Sequence, residues 1–212
     1  RHDILLIADE VITGFGRTGK PFAVNHWDVV PDMITMAKGL GSGYASLGAV
    51  GVSTGIRGVF EEKCIPFDHI FTFMSNPVST AAAYEALQIW AEENLADQAA
   101  QMSGYLFDQL AGLQQDHPMI GDIRGLGLMA GIELVADRST KEPFPVERTA
   151  AKAVGRVALE NGLVVYPATG VIDGVQGDII SLFPPLIITR QHVDELIRKL
   201  DITLTQVGQI LK

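Results

Sequence analysis

The sequence predicts an α/β protein, with part of a mostly parallel sheet in its first half and a smaller α+β part after it. Short apolar runs in the first half alternate with a segment of helical periodicity, and glycine-rich turns separate them. This alternation is typical of parallel strands joined by helices. The 212 residues are 47% hydrophobic and 19% charged, a composition that allows a buried core.

The first 95 residues contain three predicted strands and a helix. Residues 4–8 form a continuous apolar run, which predicts a strand buried on both faces. Residues 32–37 and 45–52 read as two further strands between glycine-rich turns. Pro77 follows Asn76 at the start of an alanine-rich stretch, which predicts a helix to about residue 95.

The remaining residues predict a different organisation. A helix is expected from about residue 96 to residue 113, with Leu106, Leu110 and Leu113 on one stripe. The later predicted elements are a strand at 127–134, a helix at 148–162, short strands at 163–166 and 178–182, and a closing helix at 191–212. We therefore divide the chain into residues 1–95, part of a large domain, and residues 96–212, a small C-terminal domain.

Charge and composition exclude several functions. The net charge is −9 and no cluster of Lys and Arg occurs, which argues against a nucleic-acid partner. No apolar stretch approaches the ~20 residues that a membrane helix needs, so we expect no membrane partner. Cys64 is the single cysteine, which favours a reducing, cytoplasmic location. Cys64 and the five histidines lack metal-ligand spacing, so we expect no metal site.

Two residues suggest the chemistry of a site. The first apolar run ends in Asp9, and a later run ends in Lys38, among apolar residues and glycines. An enzyme that uses pyridoxal phosphate (PLP) needs an amine for a Schiff base and an acid that keeps the pyridine nitrogen protonated. We expect Lys38 to be partly buried, since burial favours the uncharged, nucleophilic amine.

Other interpretations of these residues are simpler. Asp9 could be an ordinary acid at a strand end, and Lys38 a strand-end lysine that reaches into solvent. The hydrophobic run before Asp9 and the glycines at 14–19 also resemble the two nucleotide motifs of an NTPase. However, Pro21 follows Lys20 where a P-loop needs Ser or Thr, and the glycines come after the acid. The Arg124-Gly125-Leu126-Gly127 run precedes a predicted strand, whereas a dinucleotide loop opens a helix. We interpret Arg124 as structural.

Taken in order along the chain, these motifs resemble the C-terminal half of class III aminotransferases. The motifs that carry the resemblance are Asp9-Glu10-Val11, Thr13-Gly14-Phe15-Gly16-Arg17-Thr18-Gly19, Lys38-Gly39-Leu40, His69-Ile70-Phe71-Thr72-Phe73, Asn76-Pro77, Arg124-Gly125-Leu126-Gly127-Leu128 and Pro184-Pro185-Leu186-Ile187-Ile188-Thr189. The family includes the ω-amino acid:pyruvate, GABA, ornithine and acetylornithine aminotransferases. The resemblance implies fold type I of PLP enzymes and a homodimer with an active site shared between subunits.

The resemblance also implies roles for individual residues. Lys38 would bind PLP covalently, Asp9 would face the pyridine nitrogen, and Val11 would pack on the ring. Thr72 would bind the phosphate of the PLP held by the neighbouring subunit, although Met74-Ser75 replaces a glycine that is usual near this point. Many relatives carry an arginine for the substrate carboxylate upstream of the Pro-Pro pair, but residues 166–178 contain none. This puts α-amino acid specificity in doubt. Arg17 is a possible substitute, and an ordinary loop arginine is the alternative.

The expected reaction is PLP-dependent transamination between an amine or ω-amino acid and a keto acid such as pyruvate. Two alternatives stay open. The chain begins next to a predicted core strand and matches only the C-terminal half of the family, so it could be an inactive fragment or one half of a split or proteolysed enzyme. The same cofactor could also serve an aminomutase, a racemase or a decarboxylase.

Overall fold

The computed structural model describes residues 4–211, and the chain divides into two compact units, Arg1–Asp97 and Gln98–Lys212. Each unit contains its own sheet. The predicted α/β class is confirmed. No helix within residues 4–211 combines the length and apolar character needed to cross a bilayer.

The described part of the first unit contains a three-stranded sheet and two α-helices that lie wholly within it. Its elements are β1 (Ile7–Asp9), β2 (Met33–Met36), β3 (Ala49–Val52), α1 (Thr54–Glu62) and α2 (Pro77–Glu92). Strand β1 pairs with β2 in parallel, and β3 pairs with β2 in antiparallel orientation. The described part of this sheet is therefore mixed, where the sequence predicted a mostly parallel one. Asn76 accepts hydrogen bonds from the backbone N–H groups of Val78 and Ser79, so α2 begins at the predicted cap.

The prediction that residues 4–8 are buried on both faces is wrong for the described chain. Strand β1 is at an edge of the sheet order β1-β2-β3. Ile4, just before it, is 81% exposed, and Ile7 is 56% exposed. The apolar run does form a strand, but no element in the described part of the first unit covers this stretch.

The core of the first unit is small and lies beside the ends of β1 and β2. Phe15, Leu40 and Ala83 are its buried members. Phe22 and Met36 are among the partly buried side chains that pack against them. This cluster joins the loop that follows β1 to the loop that follows β2.

The second unit is an antiparallel sheet covered by helices. Its elements are α3 (Leu95–Asp116, which begins just before the unit), β4 (Ile120–Leu126), β5 (Met129–Leu134), α4 (Ala150–Glu160), β6 (Tyr166–Ile172), β7 (Gln176–Leu182) and α5 (Arg190–Ile210). The strand order is β4-β5-β7-β6, and each neighbouring pair is antiparallel.

The core of the second unit follows the expected periodicities. Every second residue of β5 is buried, as one face of a strand requires. The predicted leucine stripe of α3 is also buried, with Leu106 and Leu110 fully enclosed. Asp178 is buried as well, and it accepts a hydrogen bond from the N–H of Ala151 in the first turn of α4. That carboxylate fixes the start of α4 on the sheet.

The Arg124-Gly125-Leu126-Gly127 run forms a hairpin. It ends β4 and leads directly into β5, so it cannot be the strand-to-helix turn of a dinucleotide site. Arg124 forms ion pairs with Asp122 at 2.6 Å and with Glu133 on β5 at 2.7 Å.

Candidate active site

Asp9 is the last residue of β1 and lies beside β2. Its Cα is in register with that of Thr35 on the parallel strand. Asp9 Oδ1 accepts hydrogen bonds from Val11 N at 3.1 Å and from Thr35 Oγ1 at 3.1 Å. The Asp9 side chain is exposed, so a ligand could reach it.

Lys38 follows β2 by two residues and begins a short 3₁₀ turn, Lys38–Leu40. Because β1 and β2 are parallel, Asp9 and Lys38 both lie where these strands end, at one edge of the sheet. Lys38 is three positions after Thr35 in the chain, so their Cα atoms are at most about 11 Å apart. The sequence thus correctly placed the acid and the amine at neighbouring strand ends.

The expected burial of Lys38 is wrong for the described chain, where its side chain is exposed. The physical reason is that a lysine at a strand end is buried only if other elements cover that edge, and none among the described residues of the first unit does so. The backbone of Lys38 has φ = 38°, a left-handed conformation that is uncommon for residues other than glycine. Such conformations occur often at functional sites.

The two loops that carry Asp9 and Lys38 pack against each other through Phe15. A Cβ atom at Gly39 would lie only 2.9 Å from the Cβ of Phe15, so the residue after Lys38 must be small. Phe15 is itself held from the other side, because its carbonyl oxygen accepts a hydrogen bond from Trp90 Nε1 at 2.9 Å. The aromatic side chain therefore fixes the position of the Lys38 loop relative to the turn after Asp9.

Glu10 is a buried acid that organises that turn. It is 2% exposed, and its carboxylate accepts hydrogen bonds from the N–H groups of Ala23 and Val24 at 3.0 and 2.9 Å. The Thr13 hydroxyl donates to the same carboxylate. Through these hydrogen bonds, Glu10 holds both ends of the segment from residue 13 to residue 24 in place.

The glycines of this turn do not form a phosphate cradle. The N–H groups of Gly14, Gly16 and Gly19 donate to backbone carbonyl oxygens of residues 10, 21 and 16. A P-loop instead directs such N–H groups at a phosphate. The NTPase interpretation therefore fails on geometry as well as on sequence.

Val11 and Arg17 occupy the same turn. Val11 is half-buried directly after Glu10. Arg17 is half-buried between Gly16 and Thr18, and burial lowers the pKa of its guanidinium. A guanidinium that has lost part of its hydration binds a carboxylate more strongly than an exposed one.

Thr72 is exposed and lies in an irregular segment, residues 65–74, that we call the aromatic segment. This segment also exposes Phe67, Ile70 and Phe73, by 71%, 86% and 75%. Thr72 is therefore accessible at the surface of the first unit, among large apolar side chains. Within residues 4–211, no group of three or more His, Cys, Asp or Glu side chains could hold a metal ion.

Sequence reasoning missed Glu10, Thr35 and Phe15 as parts of this site. Glu10 supports the turn beside Asp9 through the three hydrogen bonds that its carboxylate accepts. A signal was available for Glu10, because an acid inside a turn rich in glycine and threonine can accept many N–H and O–H donors. Thr35 gave no signal, since threonine is common in strands.

Nearly all of the sequence follows one family pattern. It matches the family described as aminotransferase class III over residues 1–204. The chain belongs to this family. The predicted resemblance is therefore confirmed.

The relatives and solved structures cover nearly all of this chain. An uncharacterized aminotransferase of Schizosaccharomyces pombe is 38% identical over 205 residues, which are 97% of this chain and 45% of the relative. A transaminase from the marine bacterium Virgibacillus has a TM-score of 0.93 at 38% identity, over 99% of this chain and 46% of that one. The PMP-bound aminotransferase from Vibrio fluvialis has a TM-score of 0.90 at 30% identity, over 99% of this chain and 45% of that one.

Three conclusions follow from these comparisons. The expected fold type I is confirmed, because the structural neighbours of this chain are class III transaminases. The chain spans about half the length of the relatives it matches. Class III aminotransferases depend on PLP, and one of the neighbours binds PMP, the amine form of this cofactor.

Proposed function

We propose that this chain forms the C-terminal part of a PLP-dependent enzyme that transfers an amino group between an amine or ω-amino acid and a keto acid such as pyruvate. The observation that carries the proposal is the pairing of β1 with β2. It brings an acid and an amine, Asp9 and Lys38, to adjacent strand ends within a class III aminotransferase sequence.

The residues present fit the cofactor. The Lys38 amine is exposed and available to its aldehyde, and the Asp9 carboxylate suits the protonated pyridine nitrogen. Val11, in the turn beside Asp9, would contact the ring. Thr72 would donate its hydroxyl to the phosphate of a cofactor bound to a neighbouring subunit.

When bound, PLP supplies a ring that withdraws electrons from the carbon that carries the amino group. The Asp9 carboxylate would place a negative charge beside the ring nitrogen and so would keep the proton there. Lys38 Nζ would remove the proton from the substrate carbon as general base and then deliver it to the cofactor as general acid, because return to the same carbon would not transfer the amino group. Arg17, partly desolvated in the neighbouring turn, would pair with a substrate carboxylate through its two parallel N–H groups.

A homodimer with shared active sites accounts for the aromatic segment. Large exposed apolar side chains in one continuous stretch are typical of surfaces that another polypeptide covers. Thr72 lies within this stretch, so a dimer contact here would carry its hydroxyl to the partner. The exposed free thiol of Cys64 favours a reducing compartment such as the cytoplasm.

We assign residues 1–95 to the large PLP-binding domain and residues 96–212 to the small C-terminal domain. The support is that the chain forms two compact units, one with the candidate site and one with an antiparallel sheet.

The decisive experiment compares Lys38→Ala with Lys63→Ala in the full-length protein that contains this chain. Lys63 is exposed at the end of α1, outside the site, and serves as the matched control. We expect Lys38→Ala to abolish both the visible absorbance of bound PLP after desalting and the formation of alanine from pyruvate and an amine donor. The control should keep both.

Several outcomes would contradict the proposal. PLP absorbance and alanine formation that persist in Lys38→Ala would exclude Lys38 as the reactive amine. Interconversion of donor isomers without any alanine would favour a racemase or aminomutase. A 212-residue chain that does not retain PLP, while the longer protein does, would agree with the proposal, and the activity would then belong to the longer protein and not to this chain alone.

A further inference from the structure

Thr35 contacts the acid of the candidate site from the neighbouring strand. In a parallel pair, residues in register direct their side chains to the same face, and Thr35 is in register with Asp9. The Thr35 hydroxyl donates to Asp9 Oδ1 at 3.1 Å. The backbone carbonyl of Thr35 also accepts a hydrogen bond from the N–H of Glu10 at 3.0 Å, so a backbone hydrogen bond joins the two segments beside this contact.

The hydrogen bonds of Asp9 distinguish its two carboxylate oxygens. Within residues 4–211, both hydrogen bonds that this carboxylate receives, from Val11 N and from Thr35 Oγ1, reach Oδ1. Two donors from different directions fix the rotation of a carboxylate about its Cβ–Cγ bond, which is otherwise broad. Oδ2 then keeps its acceptor capacity for a ligand at the open edge of the sheet.

We propose that Thr35 is a positioning residue for the transamination reaction, which orients Asp9 so that Oδ2 faces the pyridine nitrogen of PLP. This inference rests on the proposed function and deepens it. Thr35 itself does not contact the cofactor. It acts through Asp9, because a carboxylate free to rotate would spend part of its time in orientations that do not meet the ring N–H.

The alternative role of Thr35 is structural, since threonine is favoured in strands for its β-branched shape. The variant Thr35→Val separates the two roles, because valine keeps the branched shape and removes only the hydroxyl. Thr35→Ser does the reverse, because it keeps the hydroxyl and removes the methyl group. Thr169→Val, in β6 of the second unit, is a matched substitution in a strand outside the candidate site.

The experiment uses the full-length protein, stripped of cofactor and titrated with PLP. We expect Thr35→Val to weaken PLP binding by about tenfold, the size of effect of one hydrogen bond to a charged group. Thr35→Ser should restore affinity to within about twofold of the wild type, in keeping with a hydroxyl-specific effect. The urea midpoint of the cofactor-free protein should be the same in Thr35→Val as in the wild type, and Thr169→Val should bind PLP normally.

Three results would overturn the inference. The first is wild-type PLP affinity in Thr35→Val. The second is a Thr35→Ser variant as impaired as Thr35→Val. The third is a lower urea midpoint in cofactor-free Thr35→Val, with a loss of unfolding free energy as large as its loss of PLP-binding free energy. Failure of the proposed function itself has a different signature, since the wild type would then retain no PLP or Lys38→Ala would retain it unchanged.

Discussion

Replacement of Glu10 by alanine should loosen the turn beside Asp9 without unfolding the rest of the chain. The Glu10 carboxylate is 2% exposed and accepts hydrogen bonds from the N–H groups of Ala23 and Val24 and from the Thr13 hydroxyl. Alanine would leave all three donors without this partner. A buried donor that loses its acceptor costs about 1–3 kcal/mol.

The magnitude follows from the exposure of the donors. Ala23 and Val24 are half-buried, so water can replace the carboxylate in part and the lower end of the range applies to each. The Thr13 hydroxyl can rotate toward another acceptor, so only the two backbone donors are counted. At about 1 kcal/mol each they give about 2 kcal/mol, which corresponds to a change of about 30-fold in the opening equilibrium of the turn. Glu10→Gln retains one acceptor oxygen, so its effect should be intermediate.

Hydrogen exchange followed by mass spectrometry measures this change directly. Under conditions where the exchange rate reports the opening equilibrium, amides in a peptide covering residues 11–27 should exchange about 30-fold faster in Glu10→Ala. Peptides from α4 should be unchanged. Glu92→Ala is the matched control, because this acid is exposed at the end of α2.

The reasoning would be refuted by exchange in residues 11–27 that stays within about threefold of the wild type, since this corresponds to less than 1 kcal/mol. Equal acceleration in the peptides of α4 would also refute it. In that case Glu10 would support the fold as a whole, and the turn would have no local dependence on its carboxylate.

Two further predictions concern the second unit. Gly125→Ala would place a Cβ 2.0 Å from the Met129 carbonyl oxygen, so we expect a loss of about 3 kcal/mol in urea unfolding followed by circular dichroism. Gly104→Ala, in open space on α3, should instead gain about 0.5–1 kcal/mol, and equal effects of the two variants would contradict the clash. The hydrogen bond from Lys199 lowers the pKa of Glu195. The pair therefore stabilises the fold at pH values above the ordinary pKa of Glu, and this stabilisation is lost as the pH falls through the lowered pKa of Glu195. Lys199→Met should raise the pKa of Glu195 toward its ordinary value in an NMR titration, and an unchanged pKa would show that Lys199 is not the cause.

Most of the helices and strands were predictable because their signals are local. Asn76-Pro77 marked the start of α2, and the leucine stripe marked α3. The sequence did not predict α1 or β4. Each contains two glycines, which weaken the propensity of a helix or strand, so these elements depend on their surroundings.

The candidate site was predictable in its chemistry and only partly in its environment. Asp9 and Lys38 were found because their residue types, at the ends of apolar runs, are unusual. Their exposure was not predicted, because burial depends on which elements cover an edge of the sheet. The supporting residues Glu10 and Thr35 were missed, since each acts through a contact with residues distant in sequence.

The sequence by itself determined the family, the class of fold, and the acid and amine on which the proposed chemistry depends. These follow from residue types and their order along the chain, which do not depend on how the chain folds. The tertiary structure decided which residues support that pair: the β1–β2 register places Thr35 against Asp9, and Phe15 packs against Gly39. Such contacts join segments more than twenty residues apart. Their geometry is set by packing, hydrogen bonding and excluded volume in three dimensions, which no local pattern in the sequence specifies.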